Sequence, residues 1–249
     1  MNKHKITEAE WEVRCDLAAC YHLCHYNGIS DRINTHISAR IPEKNDQFLL
    51  NPIGLLFDEI KATNLVSVYI SGTKVDANHP FDFNPAGYLI HSAVLEARPE
   101  ICCIIHHHSI AGIAIGALKE GLIPVSQHAM QFYGKVSYHE YKGFGTSNED
   151  EKSRIANDLG ENKILFMRNH GVLVCANDIG QAYCLMDDLE KACKAQLAIL
   201  STNQPRHIPN HEVAKLTADQ FEKIGRPGGE TEWPAMRRFL DRIGSKYKQ

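Results

Sequence analysis

Three histidines have the spacing to hold one metal ion. His106 and His108 close an apolar run, Ile101-Cys-Cys-Ile-Ile105, that reads as a buried central strand. Side chains two residues apart project from the same face of a strand, so two imidazoles can address one ion there. His107 points the other way. The third candidate, His170, lies in Arg168-Asn-His-Gly171 between two β-type segments, where Gly171 permits close backbone approach. Three neutral imidazoles with open positions suit one divalent transition metal, zinc first and iron as the alternative. A hydrogen-bonded histidine cluster without an ion is the competing reading.

Other histidines can serve the same pocket. His36, in Asn34-Thr-His-Ile-Ser38, can line it or simply bond within a strand. His91 and His139 are weaker candidates, each as readily a packed, hydrogen-bonded residue. Eight cysteines include no C-x-x-C pair, so they read as reduced core thiols and suggest a cytoplasmic setting.

The elements that must position these residues are marked by their ends. Thr7-Glu8-Ala9-Glu10 reads as a capping box opening a helix that stops at Gly28. Strands are expected over 33–41, 47–51 and 66–70, divided by Pro42, Pro52-Ile-Gly54 and Ser71-Gly72. Asn84-Pro85 caps a helix that ends before Arg98-Pro99, Ser109 caps another over 110–118, and Ser147 a third that ends near Gly160. Segments 164–167 and 172–175 read as β, and Asp178 opens a long amphipathic helix. Residues 1–203 then form the main domain. Residues 204–249 read as a helical appendage packed on it or on a neighbouring subunit, where Trp233 and Arg237 or Arg238 could reach across.

Composition narrows the function classes. A net charge near −3 argues against an extended nucleic-acid surface, and no stretch nears the roughly 20 apolar residues of a membrane helix. The start, MNKHKITEAEWE, has no apolar core of a secretory signal. With 43% apolar residues, the chain can bury a substantial core.

Arg98-Pro-Glu, five residues, then His106-His-His108, with Arg168-Asn-His-Gly171 later, resembles the class II aldolase/adducin family over roughly residues 8–202. Asn84-Pro-Ala-Gly87, His91-Ser-Ala93, Gly121-Leu-Ile-Pro124 and Tyr138-His-Glu-Tyr141 place the likeness nearest to adducin heads and their bacterial relatives. The resemblance implies an α/β fold: α/β/α layers around a mainly antiparallel sheet flanked by helices, often assembled as a homotetramer with the site near a subunit interface. It also implies a metal on His106, His108 and His170, which match the aldolase zinc ligands.

The departures bear on chemistry. Where sugar-phosphate aldolases of the family have Ser-Ser-Glu, with the glutamate as acid/base, this chain has Pro85, Ala86 and Gly87. Glycine cannot move a proton. Of the expected phosphate contacts only Ser38 and Gly54 remain, with Thr35-His36 and Ile53-Gly54 replacing Gly-Asn and Thr-Gly. The family's assisting tyrosine falls near Ala129, with Tyr133 and Tyr138 close by. His36, His91, His128 and His139 are the residues that could replace the glutamate.

The expected activity is therefore that of a metal-dependent lyase or decarboxylase on a small unphosphorylated carbonyl or carboxylate compound. The same ligands suit a three-His Fe(II) oxygenase. A true aldolase would need its base from elsewhere, and a non-catalytic module that binds actin filaments is the other alternative. Against the last, Gly-Ser-Lys-Tyr-Lys-Gln249 carries no adducin-like basic run.

Overall fold

Helix α1 (Glu8–Tyr26) opens where Thr7 accepts the Glu10 N–H at 3.1 Å. The capping box is only half made, because Glu10 is buried and gives its carboxylate to Arg14 (3.0 Å) and Lys44 (2.8 Å). The chain, described here by a computed structural model at residues 6–143, 149–224 and 231–249, continues with β1 (His36–Ile41), β2 (Lys44–Leu50) and β3 (Val66–Tyr69). The first strand starts later than residue 33, since residues 31–35 form a turn that carries Asp31.

There follow α2 (Pro85–Ala97), β4 (Cys103–His107), α3 (Ile110–Ala117), α4 (Gln127–Gln131), β5 (Val136–His139) and α5 (Glu149–Leu159). The remaining elements are β6 (Ile164–Met167), β7 (Gly171–Ala176), α6 (Ile179–Ser201), α7 (His211–Lys223) and α8 (Glu232–Arg242). Asn84, Ser109 and Asp178 cap α2, α3 and α6 as their positions predict, each accepting a backbone N–H in the first turn. The cap expected at Ser147 and the Pro227-Gly-Gly interruption lie outside the described residues.

The sheet order is β3-β2-β1-β4-β7-β6-β5. Neighbours are antiparallel except β5 and β6, which run parallel, so the sheet is mixed. Strand alternation divides the apolar residues between two cores. Ile37, Ile105 and Val174 face α1, α3 and α6, while Ile104, Leu173 and Cys175 face α2 and α5. That is the expected α/β/α layering. By the same alternation His36, Ser38, His106 and His108 lie on the α2/α5 side, and His107 on the other.

The tail closes on its own chain. Trp233 donates to Asp16 at 3.0 Å and packs against Gly180, where a Cβ would come within 2.7 Å of it. Arg237 pairs with Asp16 at 3.0 Å, Tyr247 is fully buried, and the Tyr247 carbonyl accepts the Ala62 N–H. The α1 carboxylates thus hold two of the side chains expected to reach a neighbour; Arg238 is exposed. Among the described residues, no helix is long and apolar enough to cross a membrane.

Candidate metal centre

His106 and His108 project from the end of β4, and the turn before β7 brings His170 to them. Their ligating atoms lie within 4.8 Å of one another. The turn needs Asn169 at φ +60°, and the His170 N–H donates to the Met167 carbonyl. At Gly171 a Cβ would come 2.5 Å from the His107 carbonyl and 2.8 Å from the His108 ring. Any larger residue would push β7 away from β4, and His170 with it.

Hydrogen bonds on the far side of two rings determine what faces inward. His106 Nδ1 lies 3.1 Å from the Val172 carbonyl, and His108 Nδ1 lies 3.1 Å from Asp31 Oδ2. Both partners accept, so each Nδ1 carries the proton and each Nε2 presents a lone pair. Those two Nε2 atoms are 3.0 Å apart. With no proton to share they repel, whereas a cation beside both would turn the contact into ligation. The donor set therefore fits a divalent transition metal. Burial keeps His106 well below the ordinary histidine pKa and lowers His170 to about 4, leaving both in the neutral form that ligates. The Asp31 carboxyl is held below its usual range, chiefly by the hydrogen bond from His108.

Behind this cluster is a second, fully buried group. His36 pairs with His106 across β1 and β4 and stacks on it, ring centroids 4.9 Å apart. Its Nδ1 lies 2.8 Å from His91 Nε2, and His91 Nδ1 bonds the Ser38 hydroxyl. Burial lowers His91 to about 3. At Gly87 a Cβ would sit 2.6 Å from the His36 ring. The imidazole thus fills the space that a side chain at position 87 would enter.

A cavity of about 630 Å³ opens over both groups. It is lined by His36, His106, His108, His139 and His170, by Asp31 and Glu151, and by apolar residues of α2, α5 and β6. His139 is bracketed by carboxylates, Nδ1 2.7 Å from Asp158 and Nε2 2.9 Å from Glu151. Ser38 is reached only through His91, and Gly54 is exposed in the turn after β2, outside the lining.

The remaining candidates lie apart. His128 faces Asp188 at 3.8 Å, and the Tyr133 hydroxyl meets His211 at 3.0 Å. The Tyr138 hydroxyl accepts the Leu122 N–H, with Arg168 over its ring. Ala129 is buried in α4. Sequence reasoning missed Asp31, Glu151 and Asp158. The last two are seven apart on α5, one helix face, and that spacing was the available signal; Asp31 had none.

Comparison with known proteins gives the family and the fold. Residues 15–197 match the profile of the Class II Aldolase and Adducin N-terminal domain, and the chain belongs to that family. An aldolase II superfamily protein from Pseudomonas syringae superposes with a TM-score of 0.93, at 41% identity and 98% coverage of both chains. An L-fuculose 1-phosphate aldolase from Glaciozyma antarctica gives a TM-score of 0.82 at 26% identity, covering 100% of this chain and 96% of that one. Alpha-adducin of Rattus norvegicus is 36% identical over 93% of this chain, but the match takes in 33% of its own length.

Proposed function

We propose that the protein is a metal-dependent enzyme of lyase or decarboxylase type, acting on a small unphosphorylated carbonyl or carboxylate compound. His106, His108 and His170 hold the ion, zinc by first choice and iron by second. The observation that carries this reading is the pair of Nε2 lone pairs 3.0 Å apart, each fixed by a hydrogen bond behind its ring. The ion would supply Lewis-acid polarisation of a carbonyl or carboxylate oxygen.

The chain's own residues set the rest. Val172 and Asp31 orient two of the ligands. His36, over Gly87, stands in for the missing glutamate, with His91 and Ser38 behind it as a hydrogen-bonded chain that can carry a proton. His139, locked between two carboxylates, holds the wall. Arg168 is the one Lys or Arg among the described lining residues; its Nη1 donates to the Gly116 and Leu118 carbonyls and its Nε lies 2.9 Å from Glu140, so the lining offers a phosphate a single cation that is already partly committed. The family resemblance supports a homo-oligomer, and the reduced core cysteines a cytoplasmic setting.

Metal analysis of the purified chain beside a His106→Ala/His170→Ala variant tests the site, and equal metal in both would sink it. The loaded protein is then offered hydroxy- and oxo-carboxylic acids. Carbon–carbon cleavage or CO₂ release supports the lyase reading, while O₂ uptake with iron replaces it by an oxygenase. A second reading rests on the likeness to alpha-adducin: a non-catalytic module that binds actin filaments. Cosedimentation with filaments by a metal-free, inactive protein would favour it.

A further inference from the structure

Resting on the three-histidine reading above, we propose that the cavity takes a small 2-oxo or 2-hydroxy carboxylic acid with an apolar tail. The paired oxygens face the histidines and the tail lies between α2 and α5.

Part of the cavity wall is apolar. Leu89 and Ile90 of α2, Ile155 of α5 and Met167 of β6 line it, and all four belong to one buried apolar cluster. They present a hydrocarbon wall to whatever occupies the space above the histidines. A polyhydroxylated chain would set its hydroxyls against that wall without partners, losing the hydrogen bonds it had in water. An alkyl or aryl tail loses nothing there and leaves water.

Several polar groups near the wall are already engaged. Asn84 Oδ1 accepts the Ala86 N–H, Asp31 accepts from His108, and Glu151 is held by His139 and Arg154. A sugar hydroxyl would compete for these groups with partners they already hold.

The head group follows from the donor set and the charge. Three imidazoles leave open positions on an ion that takes four to six ligands, and a carboxylate beside a second oxygen offers two donors at once. A monocarboxylate adds one negative charge to a pocket that already carries the Glu151 carboxylate in its lining, whereas a phosphate dianion would add two.

The test is calorimetric titration of the zinc-loaded full chain with pyruvate, 2-oxobutanoate, 2-oxopentanoate and 2-oxohexanoate. Oxalate serves as a tail-less chelator and dihydroxyacetone phosphate as the phosphorylated competitor. Affinity is expected to rise about fourfold with each added methylene, the transfer value for a buried CH₂. Oxalate binds, and dihydroxyacetone phosphate binds more weakly than 2-oxohexanoate. Leu89→Asn removes most of the gain with tail length, since it makes that part of the wall polar. Should that variant not fold, the wild-type series still decides. A flat or falling series, or tightest binding by the phosphate, overturns the inference while zinc and oxalate binding keep the metal site standing. Failure of the wild type to hold zinc at all sinks the site and this inference together.

Discussion

Two histidine stations share the cavity and are built on opposite electrostatics. At the His106–His108 station, ring nitrogens with no proton face each other at 3.0 Å, and their N–H groups point away to Val172 and Asp31. At His139 both ring nitrogens point at carboxylates, Asp158 at 2.7 Å and Glu151 at 2.9 Å. The first arrangement is repulsive unless a cation lies between the two nitrogens. The second is satisfied by the protein's own charges and ties β5 to α5. Histidine content is the same in kind at both; the partner behind each ring decides whether it waits for a ligand or serves as a fastener.

The largest effect should separate the stations outright. His106→Ala/His170→Ala should lower zinc from about one ion per chain to almost none, read by elemental analysis. Excess zinc should raise the wild-type melting temperature by roughly 10 °C and leave that variant unmoved. Next, Gly87→Ala forces the His36 ring toward His106 and should cost about 2–3 kcal/mol in urea denaturation, with weaker zinc retention. Adding His36→Ala should recover most of the loss, and additive costs would show that the two do not share this space.

His139→Ala should cost about 2 kcal/mol, discounted from a fully buried pair because Asp158 is 40% exposed. Its zinc content should match the wild type; a loss of zinc there would erase the contrast between the stations. The smallest effect is a slope with pH. His91 is held at about 3 by burial, so the fold favours its neutral form. Its contribution is complete above pH 6.5, the unfolded value, and declines as pH falls toward about 3, because the unfolded state alone binds the proton. Urea denaturation of metal-free protein between pH 7.5 and 5 should show falling stability, and His91→Gln should make that fall shallower, the other buried histidines supplying the rest.

Much of the site was legible in the sequence because strand alternation is a local rule. It put His106 and His108 on one face and His107 on the other. The β-turn around His170 was marked by Gly171, and the caps at Asn84, Ser109 and Asp178 follow from side chains that reach their own helix's first turn. What was misread also has a local cause. Glu10 had the right spacing for a capping box, but Arg14 and Lys44 offered its buried carboxylate full charges instead of one amide. Strand β5 is short, carries His139 at its end and joins the sheet in parallel at the edge, so neither alternation nor turn chemistry announced it.

The sequence alone thus determined which residues share a face, where helices begin, and that position 87 has no side chain to move a proton. Tertiary structure alone decided that the His36 ring fills the space beside Gly87, that Asp31 sets the tautomer of His108, and that Glu151 and Asp158 claim His139. The reason is range. Period and capping act within a few residues of the chain. The Asp31–His108 bond spans 77 positions and depends on how the whole sheet orders its strands to bury two apolar faces at once.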